Sequence, residues 1–335
     1  MDAGMIWEWI LKSLFLILFM TGGFAYVTLL ERRLLARMQV RIGPNRTGKF
    51  GLLQPIADAV KLIFKEELIP AGADKLMFIL APVITVIPAL IITAVIPWGT
   101  SIRLFGREIS LWIANVNIGV IYIMAVTSIS VYGITLAGWS SNNKYAMFGG
   151  LRSTAQMISY ELALGLSLVG PILLAGSMNV LDIVAAQKTL PFIALQPAGF
   201  IVYFLASLAE INRAPFDMPE AEQELTAGYH TEYSSMKFAL FFMAEYIKMI
   251  AVGMIGSTLF LGGFQGPFVD QLPWLGPVYL FGKVFIWMFI VIWIRATLPR
   301  IRYDKLMALG WKVMYPVALL NVVVTGVMVV LTSKR

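Results

Sequence analysis

The chain has 335 residues, 59% of them hydrophobic and 13% charged, with a mean hydropathy of +0.79 and a formal net charge of +7. Soluble domains carry roughly 25% charge, so this composition excludes a soluble globular protein and points to a polytopic membrane protein. The absence of cysteine excludes disulfides, thiolate chemistry and cysteine-ligated metal centres, and the single histidine, His230, excludes a multi-histidine metal or haem site within the chain.

A crossing needs about 20 apolar residues. Eight stretches qualify, near 9–30, 76–97, 113–137, 154–176, 193–211, 237–262, 276–298 and 312–332. The expected fold is therefore all-α and polytopic, a single transmembrane domain over 1–335 with structured cytoplasmic loops at 31–75 and 210–236. The first apolar run lacks a small-residue cleavage site and reads as a retained helix. Eighteen lysines and arginines lie in the connections after spans one, three, five and seven, against six on the other side. That asymmetry places the odd-numbered connections in the cytoplasm and both termini outside. It also accounts for the positive net charge through the lipid bilayer, without nucleic acid. No strong internal repeat argues for a transporter built from inverted halves.

The connection after span one contains RIGPNRTGKFG, whose Gly43, Pro44 and Asn45 predict an ordered turn. Leu52, Leu53, Ile56, Ala59, Val60, Ile63 and Phe64 then recur at helical spacing. Gln54, Asp58, Lys61 and Lys65 fall opposite, and Pro55 suits the first turn. This short amphipathic helix either lies on the lipid surface or turns its polar face to a cavity, and Asp58 can pair with Lys61 one turn on.

Three acids, Glu161, Glu210 and Glu245, lie inside apolar spans. At a rise of 1.5 Å per residue, Glu161 is roughly 13 Å from Arg152 and Glu245 roughly 12 Å from Lys237, so their depths are similar. A charge at mid-membrane costs roughly 2.5–3.5 kcal/mol. Such acids are expected to face protein or water, and a group of them can take up and release protons. The structural alternative is that Lys248 neutralises Glu245 and a neighbouring helix bonds Glu161.

The connection after span five, LAEINRAPFDMPEAEQELTAGYHTEYSS, crowds Glu210, Asp217, Glu220, Glu222, Glu224 and Glu232 together. Pro215, Phe216, Met218, Pro219, Leu225 and Tyr229 are interleaved with them. Disordered acidic tails are poor in such residues, so a folded, partly buried loop is expected. His230 is expected to bond locally and not to ligate a metal.

Residues 31–66 (ERRLLARMQVRIGPNRTGKFGLLQPIADAVKLIFKE) and 208–246 (LAEINRAPFDMPEAEQELTAGYHTEYSSMKFALFFMAEY) closely resemble the quinone-site membrane subunit of respiratory complex I. That family comprises the H subunit of bacterial NADH:quinone oxidoreductase and subunit 1 of the mitochondrial enzyme. The resemblance implies a multi-pass protein of the cell inner membrane, contributing to proton-pumping electron transport and without catalysis of its own. It implies a tunnel for ubiquinone or menaquinone as substrate, no FMN or iron–sulfur cluster held by this chain, and no metal. It further implies peripheral-arm iron–sulfur and quinone-site subunits as partners, with small membrane subunits and antiporter-like subunits beside it. By matching motif positions, Glu31, Glu161, Glu210, Glu220, Glu222, Glu224 and Glu245 would form an acidic proton-relay route. Arg32, Asp58, Lys61, Arg213, Phe216 and Arg295 would line the quinone tunnel or balance its charge. The alternative within the wider family is the anchor and ion-channel subunit of a membrane-bound hydrogenase or formate hydrogen lyase.

Overall fold

A computed structural model of the chain describes residues 3–104, 107–218 and 226–333. The chain opens with the long helix α1 (Ala3–Met38), and the amphipathic α2 (Gln54–Ile63) follows, with Pro55 in its first turn. Next comes α3 (Lys75–Ile91), extended by a 3-10 turn over Ile92–Val95. A two-stranded antiparallel hairpin, β1 (Ser101–Leu104) and β2 (Arg107–Ser110), pairs Ser101 with Ser110. The hydrophobic middle of the chain forms α4 (Gly119–Ser140) and α5 (Lys144–Ala175). Three shorter helices, α6 (Val180–Ala186), α7 (Phe192–Leu195) and α8 (Pro197–Glu210), lead to the acidic loop. The remainder comprises α9 (Ser235–Phe260), α10 (Leu275–Thr297) and α11 (Tyr303–Leu309). A π-helical turn over Gly310–Met314 joins α11 to α12 (Tyr315–Ser333).

The all-α membrane architecture expected from hydropathy is the one observed, with seven helical stretches among the described residues long and apolar enough to cross a membrane. The fifth expected span differs. Its helix α8 has 14 residues, roughly 21 Å at 1.5 Å per residue, shorter than a hydrocarbon core of about 30 Å. Pro197 has no N–H to donate and starts a helix instead of continuing one. The chain therefore breaks at Gln196 (φ −133°, ψ 59°), between α7 and α8. Buried Gln196 bridges the break to the last helix, its Nε2 donating to Thr325 Oγ1 at 2.9 Å.

The connections sort to two ends of the bundle. At one end, Leu68 N donates to Ser234 Oγ (3.1 Å), Asn143 Nδ2 to Glu232 Oε1 (2.6 Å) and Ile301 N to Pro215 O (3.1 Å). These bonds join the first, third, fifth and seventh connections, the same set that the lysine and arginine asymmetry groups together. At the other end, Asn179 Nδ2 donates to Asn115 Oδ1 (2.7 Å) and Lys188 pairs with Asp270 (2.6 Å). Helix α8, although short, runs between the two ends.

Helix α9 is buried along most of its length and forms the axis of the core, while α1 and α12 turn most of their apolar side chains outward. Several polar groups inside the bundle are satisfied by neighbouring elements. Pro82 interrupts α3 and cannot bond the Phe78 carbonyl one turn back. Tyr233 of the acidic loop donates its hydroxyl to that carbonyl (3.2 Å) and stacks on the Phe78 ring at 4.0 Å. Lys283 of α10 donates to the carbonyls of Leu261, Gly263 and Gln265 at 2.7, 2.7 and 2.9 Å, and so caps the C-terminal end of α9. Gly149 of α5 lies directly against the backbone of Gly228, which seats the far end of the acidic loop on the bundle.

Candidate functional site

The acidic loop leaves α8 at Glu210 and sends Arg213 back into the protein. Arg213 is 3% exposed, and its Nη1 donates to both carboxylate oxygens of Glu31 on α1 at 2.8 and 2.7 Å. Its Nε pairs with Glu245 of α9, and its guanidinium lies over the Tyr246 ring, 4.4 Å from the centroid. Arg295 from the last turn of α10 pairs with the same Glu31. Burial alone would weaken Arg213's hold on its proton. Glu245 and Glu31 more than reverse this, so the guanidinium stays charged. Two carboxylates and two guanidiniums from four separate elements thus form one cluster whose charges sum to zero when all are ionised.

Beyond this cluster lies a small cavity of about 20 Å³, room for about one water molecule. Glu210, Glu245 and Lys248 line it, with Thr85, Asn212 and Tyr229. A second, still smaller cavity of about 10 Å³ is lined by Glu210 and Lys248 together with Thr127 and Ser130 of α4. Glu210 and Lys248 therefore stand between the two. Ser128, next to Thr127, donates to Glu161 of α5. The arrangement is a string of ionisable and hydroxyl groups running from α1 through α9 and α8 to α4 and α5. Each acid along it lies within electrostatic reach of another charged group.

Of the acids expected from the sequence, Glu31, Glu161, Glu210 and Glu245 come together along this string. Glu220, Glu222 and Glu224 lie outside the described residues. Two pairings that helical spacing allows give way to partners from other elements. Glu245 is in ion-pair contact with Arg213 from the incoming loop, while Lys248 one turn on shares a small cavity with Glu245 and Glu210. Asp58 pairs with Arg32 (2.7 Å) and accepts from Gln54 (3.1 Å), and not with Lys61, because the polar face of α2 turns toward α1 while Lys61 is exposed. The apolar face of α2 is left open, with Ile56 and Ile63 more than half exposed. Phe216 is buried against Tyr160, ring centroids 5.6 Å apart. The six expected tunnel residues thus divide into an Arg32–Asp58 pair, an Arg213–Glu31–Arg295 cluster, an exposed Lys61 and a buried Phe216. Beside α2, an open cavity of about 450 Å³ is lined by Arg33, Arg37 and Arg41 with Ile42, Phe50 and Leu52.

Sequence reasoning passed over Tyr246 and Ser128. Tyr246 is adjacent to Glu245 and could have been found as its neighbour. Ser128 lies in a mixed run of small and apolar residues and gives no such signal.

His230 packs among the rings of Tyr229, Phe238 and Phe242, and burial pushes its imidazole down to about 4. It is neutral at pH 7. Above its ordinary value of 6.5 it leaves stability unchanged. As pH falls below that, the unfolded chain takes the proton first, and stability declines by about 3 kcal/mol down to pH 4. The midpoint of thermal unfolding in detergent is expected to drop between pH 6.5 and 4, and His230→Gln is expected to flatten that slope; equal slopes would contradict the assignment.

The NADH dehydrogenase family model matches residues 11–326. The chain is 51% identical over 310 residues to one of the NADH-quinone oxidoreductase H subunits of Syntrophobacter fumaroxidans, covering 92% of both chains. It is 53% identical over 315 residues to the NADH-quinone oxidoreductase H subunit of Thermomicrobium roseum, covering 91% of each. With NADH-quinone oxidoreductase subunit 8 of Thermus thermophilus the identity is 50% over 330 residues, 98% of this chain and 89% of that one.

Proposed function

Given that this chain belongs to the NADH dehydrogenase family and is a membrane subunit of an NADH-quinone oxidoreductase, we propose that its buried charge string couples quinone reduction to proton movement. The observation that carries this reading is Arg213, one buried guanidinium from the acidic loop that serves both Glu31 and Glu245. A loop holding such a residue cannot shift without changing the field at two buried acids. One unit charge added 4 Å away at an effective dielectric near 20 is worth about 4 kcal/mol, or roughly three pKa units. That is enough to change the protonation of an acid poised near neutrality.

In this reading ubiquinone or menaquinone enters beside α1 and α2, past Arg32, Asp58 and Lys61, in the cell inner membrane. The open apolar face of α2 and the nearly bare Val40, Ile42 and Phe64 (95%, 83% and 84% exposed) suit a peripheral-arm partner or the quinone itself. Charge appearing on the quinone is felt first at the Glu31–Arg213–Glu245 cluster. It then passes along Lys248 and Glu210 to Glu161, toward the antiporter-like subunits of the membrane arm. The relatives compared bear NADH-quinone oxidoreductase names, which favours this reading over a hydrogenase anchor.

Glu210→Gln and Glu245→Gln in the assembled complex are expected to lower quinone-linked proton pumping by about tenfold or more, the scale of a lost proton-transfer group. Electron transfer from NADH to a hydrophilic artificial acceptor should be unchanged. Full pumping in both variants would remove the relay.

A further inference from the structure

Gln156 lies on α5, one turn before Tyr160, and is completely buried. Its Nε2 donates to Ala209 O and to Phe216 O, both at 2.7 Å, with Asn212 Oδ1 at 3.2 Å. The three acceptors all belong to the stretch in which the chain leaves α8 and turns into the acidic loop. An amide nitrogen has two protons, so a single side chain holds the last turn of a helix and the loop beyond it from one point.

The stretch it grips is sharply bent. Asn212 has φ 57°, in the left-handed region that asparagine tolerates better than most residues. Arg213 is the next residue, and its side chain reaches Glu31 and Glu245. Between Asn212 and Phe216 the chain makes few backbone bonds of its own, chiefly Phe216 N to Arg213 O at 2.8 Å. Gln156 therefore supplies a tie from outside the loop, beside the bond from Ile301 N to Pro215 O. Its own Oε1 is buried and accepts no hydrogen bond. Buried acceptors are rarely left so. An apolar residue of similar size would fill this site without that liability, so the amide is explained by its donors and not by its volume.

We propose that Gln156 is the positioning residue of the acidic loop, fixing the exit of α8 so that Arg213 lands between Glu31 and Glu245. It carries no charge and acts on coupling only through the loop. The inference rests on the coupling role given to Arg213 above.

Gln156→Met in the whole membrane complex keeps the volume and removes both donors. The kcat of NADH:quinone turnover is expected to fall about tenfold, the scale of one lost buried anchor, with the quinone KM and electron input to an artificial acceptor changed by less than about twofold. Arg213→Lys on its own also slows turnover. Because Gln156 acts through Arg213, adding Gln156→Met to Arg213→Lys is expected to cost no more than Arg213→Lys alone. A wild-type kcat in Gln156→Met, or losses that multiply in the double variant, overturns the proposal. If Gln156→Met does not assemble, Gln156→His, which retains one donor, is read by the same criteria. Glu210→Gln and Glu245→Gln with full pumping, beside a slow Gln156→Met, would remove the relay and leave the positioning role standing. The reverse pattern removes the positioning role alone.

Discussion

Arg213→Met is expected to reduce NADH:quinone turnover by about a hundredfold per assembled complex, because removing one partner of a buried ion pair leaves an uncompensated charge worth about 3–5 kcal/mol. Here the loss is doubled in kind. Glu31 and Glu245 both lose their shared cation, and Arg295 alone remains beside Glu31. The two acids must then take up protons or draw water into a packed site. Arg213→Lys should recover part of the activity. An ammonium restores the charge, but it lacks the planar fork that addresses both oxygens of Glu31 while Nε faces Glu245. Turnover normalised to assembled complex on native gels is the measurement, and a wild-type rate in Arg213→Met would make the cluster a bystander.

Gly149→Val is expected to cut the amount of assembled complex severely, by unseating the acidic loop from α5. A Cβ at Gly149 would stand 2.7 Å from Gly228 Cα and 2.9 Å from Tyr229 N. Those are backbone atoms and cannot rotate away. Forcing them apart costs about 3 kcal/mol or more, and it moves Tyr229, which lines the cavity shared by Glu210, Glu245 and Lys248. Gly22→Ala is the matched control, since nothing lies within 4 Å of an added Cβ there. Equal assembly of the two variants would show that the loop's seat on α5 is dispensable.

The parts of this protein that follow from averaged properties were legible in the sequence. Hydropathy locates the crossings because lipid demands long apolar runs, and an acid inside such a run is conspicuous by its cost. Pairings were harder to read. Lys248 is one turn from Glu245, yet Arg213 takes the carboxylate from another element. Lys61 is one turn from Asp58, yet Arg32 of α1 takes that one. Helical spacing ranks neighbours on one surface and says nothing about a guanidinium arriving from elsewhere. Uncharged polar residues are harder still. Gln156 and Ser128 sit in apolar helices without altering their periodicity, and only the position of the opposing backbone or acid gives them meaning. The break in the fifth crossing falls at Pro197, which hydropathy passes over because a proline inside a hydrophobic run leaves the apolar average intact.

The Glu31 cluster also constrains how the chain is made. Glu31 and Arg213 are 182 residues apart, and Glu31 and Arg295 are 264 apart. At 5–20 residues per second, Arg295 leaves the ribosome about ten seconds to a minute after Glu31. Arg213 emerges first, about nine to thirty-six seconds after Glu31, and until then Glu31 has neither partner of the cluster. The 36 residues of α1 span roughly 54 Å, well beyond a hydrocarbon core of about 30 Å. Glu31 lies past the apolar stretch, where nascent α1 can keep it in water. The carboxylate is then enclosed only after the loop and the seventh crossing have been inserted, so closing this cluster is a late step of membrane insertion and a natural checkpoint for a completed chain.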